Sequence, residues 1–173
     1  MHIFRGKRIY LRPLEISDLD TLYQLENDPH NWETTTTVNP LSRFYLEQYI
    51  ISSQNNIYHD KQLRLIIAGN QHETMGVIDL FDFDAHHKRA GVGIILLPKF
   101  RGKGYATEAL DLLKDYVQHK LKLKQLFCTI GKDNHKSLAL FKSRGFEVTG
   151  IRKAWRLSKE MWQDEHFLQL VFD

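Results

Sequence analysis

The chain has 173 residues, of which 42% are apolar and 26% charged, with a net charge of +3. That length supports a substantial core, and residues 1–173 read as a single domain. The small, dispersed charge gives no case for a nucleic-acid partner, and the lone Cys128 excludes an intrachain disulfide or a cysteine metal cluster.

Charged Arg5, Lys7 and Arg8 interrupt the N-terminal segment too early for a secretory signal. No apolar run approaches the roughly 20 residues of a membrane span. The expected setting is reducing and cytoplasmic, with no membrane partner. No repeat, linker or low-complexity segment divides the chain.

Arg8 to Arg12 alternates and predicts a strand ended by Pro13. Ser17 is placed to cap a helix, with Asp20 at the capping-box position. Leu19, Leu22, Tyr23 and Leu25 give that helix an apolar face, and Asn27-Asp28-Pro29 stops it. The polar, Thr-rich segment from Trp32 to Asn39 reads as a loop. Leu41 to Ser53 has helical spacing at Phe44, Tyr45, Tyr49 and Ile50.

Leu63 to Ala68 then reads as a strand closed by Gly69-Asn70, with Thr74 to Phe83 in hairpin relation to it. Ala85-His86-His87 is a turn into a third strand, Lys88 to Leu97. Tyr105 to Leu121 is a helix on the spacing of Ala106, Ala109, Leu110, Leu113, Tyr116 and Val117. Leu126 to Ile130 is a short buried strand. His135 to Arg144 is a helix ended by Gly145 as a left-handed cap. Phe146 to Lys153 and His166 to Phe172 are the last strands. The order implies a mixed α/β sheet.

The stretch Arg101-Gly102-Lys103-Gly104-Tyr105-Ala106 stands between a strand and a helix start. Glycines let backbone approach a phosphate, and the first amides of a helix lack intrahelical partners at the positive end of the helix dipole. Arg101 and Lys103 add full charges, so the expected ligand is a phosphate or pyrophosphate. A Walker A loop would need Gly where Leu97 stands and Ser or Thr where Gly104 stands. Gly91-Val92-Gly93 could open a dinucleotide fingerprint, but Leu96 occupies the third glycine position and no helix follows there.

A third pattern, Gln/Arg-x-x-Gly-x-Gly/Ala, fits Arg101, Gly104 and Ala106, and with it the chain resembles the GNAT superfamily of N-acetyltransferases. The opening Arg8 to Glu15, followed by Asp18-Leu19, is similar to the spermidine and ribosomal-protein N-terminal acetyltransferases. Asn134, Ser137 and Gly145-Phe146 match the second cofactor half-site. The resemblance implies a single-domain α/β (α+β) fold with a mixed central sheet of about seven strands flanked by helices. It implies acetyl-CoA, with the pyrophosphate on the amides of Arg101, Gly102, Lys103, Gly104, Tyr105, Ala106 and Thr107. The pantetheine would run along Ile94, Ile95 and Leu96, where the amide of Ile95 or Leu96 would polarise the thioester carbonyl. The acceptor would be a primary amine: a polyamine, a protein N-terminus or a small amine. A homo-oligomer is compatible with this branch. The competing expectation is a non-catalytic acyl-CoA-binding module of the same fold.

Two departures bear on mechanism. Many relatives place a Glu in Arg-Ala-Glu before the loop, where this chain has Arg89-Ala90-Gly91. Many place a Tyr before Gly-Phe as acid for the leaving thiolate, where this chain has Phe141. Candidate substitutes lie on the acidic strand: Asp82 as the residue that holds or deprotonates the amine, with Asp79 and Asp84 as substrate carboxylates. Alternation puts Asp82 and Asp84 on one side and Asp79 on the other. Solvated strand-end charge is the competing reading for all three. Glu33 is a further substrate candidate, against a plain surface acid. His86 and His87 lack an acidic or cysteine partner at metal-ligand spacing, so no metal is expected. Cys128 reads as a buried small hydrophobe, Trp155 and Trp162 as packing or interface residues, and Tyr105 as packing beside the cofactor.

Overall fold

The structure is a computed structural model and describes residues 4–32, 35, 37–53 and 56–173. Its strands are β1 (Ile9–Pro13), β2 (Leu63–Gly69), β3 (Thr74–Asp84), β4 (Arg89–Leu96), β5 (Gln125–Gly131), β6 (Glu147–Ser158) and β7 (Met161–Val171). They form one sheet in the order β1-β2-β3-β4-β5-β7-β6. Neighbours are antiparallel except β4 and β5, which are parallel and joined by a crossover helix. The helices are α1 (Leu19–Asn27), α2 (Pro29–Trp32), α3 (Arg43–Ser52), α4 (Ile57–Asp60), α5 (Tyr105–Tyr116) and α6 (His135–Ser143). The expected mixed α/β sheet is therefore present.

Both faces of the sheet bury apolar side chains. On one face Leu65, Ile67, Ile78, Leu80, Val92, Leu126 and Leu168 pack with Leu110, Leu113 and Val117 after the loop, and with Leu138 and Phe141 of α6. On the other, Ile66, Ala68 and Val77 pack with Leu22 and Leu25 of α1 and Leu46 and Ile50 of α3. This is why β2 reads as an unbroken apolar run rather than an alternating one. The second cluster covers only β1 to β3 and the end of β4. Further along that face Phe81, Phe127 and Phe167 form a row of touching rings, with centroids 5.9 Å apart for the first pair and 5.6 Å for the second.

Several local expectations change in the folded chain. Ser17 does not cap α1: Asp18 closes a preceding 3-10 turn, Ile16–Asp18, by accepting from the Glu15 N–H at 2.9 Å. α3 starts after Ser42, whose hydroxyl accepts from the Tyr45 N–H. Its buried residues are Leu46 and Ile50, while Phe44 and Tyr45 are exposed because the helix rests on a narrower stripe than the spacing suggests. The helix after the loop keeps α geometry only to Tyr116 and continues as a π turn, Val117–Leu121. The Asp79, Asp82, Asp84 alternation breaks at a bulge, where the register slips between Phe81 and Asp84 and Asp82 takes φ +47. β6 and β7 run well beyond their expected ends as a hairpin whose outer strand is largely exposed.

Candidate active site

β4 and β5 pair only from Arg89 with Gln125 to Gly91 with Phe127. β4 stays on β3 through Leu96 with Gly76. Past Gly91, one edge of β4 therefore faces a gap instead of a neighbouring strand. The Leu97 N–H donates to Met75 O at 2.9 Å. Alternation then turns the amide of Ile95 toward β3 and those of Ile94 and Leu96 into the gap. Of the two expected carbonyl-polarising amides, Ile95 is spent on the sheet and Leu96 is presented.

The chain leaves the gap through a 3-10 turn, Pro98–Phe100, and enters α5 by way of Gly102 and Gly104, at φ +72 and +83. These left-handed conformations are ones side chains resist. The first intrahelical bond is Glu108 N–H to Gly104 O. The amides of Tyr105, Ala106 and Thr107 precede it, and Gly104, the N-cap, has no side chain to satisfy them. An anionic cofactor fits this cradle: its donors lack an internal acceptor and no Cβ blocks the approach at Gly102.

The Arg101 side chain is held at the base of the loop by neutral acceptors. Its Nε donates to Leu96 O at 2.9 Å and its Nη2 to Asn31 Oδ1 at 3.1 Å, so the guanidinium ties the end of β4 to α2. A cation that the sequence did not point to, Arg8, stands at the loop beside Lys103. Its Nη1 donates to Lys103 O at 2.8 Å and its guanidinium lies 4.8 Å from the Tyr105 ring centroid. Tyr105 also meets Phe100 edge to face, in keeping with a packing role. Asn134 caps α6, its Oδ1 accepting from the Ser137 N–H at 3.2 Å.

The three aspartates part company. Asp79 lies opposite Gly93 and takes both Nε and Nη2 of Arg64 at 2.8 Å, while Arg64 Nη1 reaches Glu26 at 2.5 Å. Burial alone would lower the Arg64 pKa, but the charges and hydrogen bonds of Asp79 and Glu26 outweigh it and raise it. Asp84 closes the turn into β4, accepting from the His87 N–H at 2.8 Å and pairing with Arg89. The His87 bond holds its pKa below the usual carboxylate range. Asp82 is exposed at the bulge and lines a groove of about 1070 Å³ with Phe127, Arg152, Phe167 and Gln169. It stands three residues beyond Asp79, about 10 Å along the strand from the level of Gly93. Glu33 lies outside the described residues.

The two departures have structural counterparts. A Cβ on Gly91 would stand 2.3 Å from Cε2 of Phe81, so the ring occupies the space that a side chain there would need. Phe141 is buried and meets Phe146 edge to face at 5.0 Å. Arg8, Glu26, Arg64 and the phenylalanine row were not legible as site residues, since only the sheet register brings them to the loop and the gap.

Residues 8–147 match the acetyltransferase (GNAT) domain family. The chain is 30% identical over 148 residues to the spermidine N(1)-acetyltransferase of Escherichia coli K12, an alignment covering 82% of this chain and 74% of that protein. The crystal structure of spermidine N-acetyltransferase from Vibrio cholerae in complex with CoA and spermine superposes with a TM-score of 0.87 at 23% identity, covering 96% of each chain. A dodecameric structure of the Vibrio enzyme in an intermediate state gives 0.81 at 23% identity, over 96% of this chain and 95% of that one. The chain belongs to the GNAT acetyltransferase family, and the parted strands and the glycine loop fit its acyl-CoA cofactor. It is an N-acetyltransferase that uses acetyl-CoA. No comparison supports the non-catalytic alternative. Among the described residues no helix is long and apolar enough to cross a membrane.

Proposed function

We propose that this protein acetylates a cationic primary amine of the polyamine class, as a single cytoplasmic domain over residues 1–173 that assembles into a homo-oligomer. The observation that carries the substrate class is the Glu26–Arg64–Asp79 cluster opposite Gly93. Two carboxylates share one guanidinium there, which leaves net negative charge beside the gap. The name of the Escherichia coli relative, a spermidine acetyltransferase, supports the same class. The dodecameric Vibrio structure supports assembly.

In this reading the cofactor's pyrophosphate rests on the amides of residues 101–107, with Asn134 and Ser137 beside its other end. Acetyl-CoA supplies an activated thioester carbonyl. The amide of Leu96, facing the gap, donates to that carbonyl oxygen as charge develops on it. The amine comes from the opposite face, over Gly93, where the edge of the Phe81 ring lies 3.8 Å from the point a Cβ would take. An ammonium of pKa ~10.4 must lose its proton, which costs roughly 4–5 kcal/mol at pH 7. With Gly91 and Phe141 at the usual acid–base positions, Asp79 is the carboxylate nearest the approaching amine and water completes the relay. Asp82, farther along the floor, holds a distal ammonium.

Release of free thiol from acetyl-CoA, followed against spermidine, spermine, short diamines and peptides with free N-termini, tests the proposal. Polyamines should give the highest kcat/KM. Asp82→Asn should raise KM for spermidine about tenfold with kcat little changed, since it removes a binding charge of about 1–2 kcal/mol rather than a base. A fall in kcat at constant KM would instead make Asp82 the base. Turnover of peptides alone would refute the polyamine class.

A further inference from the structure

We propose that Arg8 is a phosphate-facing cation of the cofactor loop, added to the loop's own Lys103, a role that rests on the assignment of residues 101–107 to the phosphates of CoA. The loop's own arginine cannot fill it without giving up Leu96 O and Asn31. Arg8 arrives from the segment just before β1, 95 residues upstream of Lys103. Its position is set by four contacts. The backbone N–H donates to Glu108 Oε1 at 2.9 Å and Nε to Oε2 at 3.1 Å. Nη1 holds Lys103 O, and the guanidinium lies against Tyr105. Nη2 lies 3.1 Å from the point where a Cβ on Gly104 would stand, on the N-cap that opens the amide cradle.

The arrangement also solves an electrostatic problem. Glu108 lies in the first turn of α5, where its carboxylate would repel an incoming phosphate. Burial would raise the pKa of Glu108, but the Arg8 N–H and guanidinium outweigh that and hold it below the usual range. The carboxylate thus stays charged and is matched by Arg8, whose side chain remains 50% exposed. A brace between β1 and α5 needs only the two bonds to Glu108. The reach past Glu108 to Lys103 O turns the Nη2 donors toward Gly104, where an anion would meet them. Guanidinium–phosphate bonds are charge-assisted and bidentate in geometry, which suits the two phosphate sources in CoA, the pyrophosphate and the 3′-phosphate.

Calorimetric titration of CoA and 3′-dephospho-CoA into the full chain and its Arg8→Gln, Arg8→Lys and Glu108→Gln variants tests the role, with a thermal melt of each variant to show that it is folded. Arg8→Gln should weaken CoA binding about tenfold or more, the scale of one lost charge-assisted bond. Arg8→Lys should recover part of that loss. Glu108→Gln loosens the same brace by removing one acceptor oxygen and the negative charge but keeps the cation, so it should bind CoA as well as or better than the unmodified chain. In kinetics, Arg8→Gln should raise KM for acetyl-CoA and leave KM for the amine unchanged. A loss that persists with 3′-dephospho-CoA supports contact with the pyrophosphate; one that vanishes supports contact with the 3′-phosphate. Equal weakening in Arg8→Gln and Glu108→Gln would reduce Arg8 to a brace and overturn the proposal, as would unchanged binding in Arg8→Gln. If the unmodified chain binds no CoA, the loop assignment itself fails, an outcome distinct from a failure at Arg8 alone.

Discussion

At the scale of single residues, the site is shaped as much by what is missing as by what is present. Gly91 has no side chain because the Phe81 ring lies on its backbone, and Phe81 in turn begins the aromatic row that floors the groove. Adding even a methyl group here must push the ring aside. Gly91→Ala should cost about 1–3 kcal/mol in urea unfolding, the usual range for overpacking. Phe81→Leu should cost stability alone, yet the double variant should be more stable than the sum of the two single losses, since the smaller side chain makes room for the added methyl. Strict additivity would mean that the two residues do not compete for one space. Cys128 shows a different economy. Burial pushes its thiol up to about 12, so it stays protonated and inert in the core, as its apolar surroundings suggest.

Among elements, the opening of the chain is held by one buried carboxylate. Asp18 accepts from Arg12 at 2.7 Å on both oxygens, from the Glu15 N–H and from the Thr74 hydroxyl. It thereby fastens β1, the 3-10 turn and the start of β3. Burial would raise its pKa, but Arg12, the Glu15 N–H and Thr74 outweigh that and lower it. A folded-state pKa below the unfolded value means that the unfolded chain takes the proton first as the pH falls. The stabilisation is therefore fully present above about pH 4 and is lost as the pH drops through the lowered folded value. Asp18→Asn should lose about 3 kcal/mol at pH 7, the cost of stranding a buried partner, and should show a flatter acid limb in stability against pH. Unfolding curves from pH 7 to pH 3 decide the point; an unchanged acid limb would place the acid sensitivity elsewhere.

At the scale of the whole molecule, the sheet has one protected edge and one that is not. β1 is short, whereas β6 is a long outer strand with most of its residues exposed. Trp155, Leu157, Met161 and Trp162 crowd the exposed end of its hairpin with β7. Open edges and apolar clusters of this kind are ordinarily covered in solution. Light scattering behind size exclusion should give a mass several times that of one chain. Replacing Trp155 and Trp162 together with Ser should lower that mass while leaving the melting temperature of the released chain near that of the parent. A monomer before mutation would refute assembly through this hairpin.

The sequence by itself determined the order of the strands and main helices, the glycine loop and a phosphate as its ligand, because each is written locally. Helical spacing survives in any tertiary context that buries the stripe, and left-handed glycines beside a helix start form an anion cradle from consecutive residues. What the tertiary structure alone decided is which charges meet. Arg101, in the loop itself, turns inward to Leu96 and Asn31, while Arg8 arrives there from the segment before the edge strand β1. Alternation separates Asp79 from Asp82 by face, but only register sets the one opposite Gly93 beside Arg64, and a bulge swings the other out to the groove. Pairing register and bulges depend on neighbours distant in the chain, and a slip of one residue exchanges the two faces of a strand. Side-chain chemistry is local, but the partner that turns it into a site is chosen by the sheet.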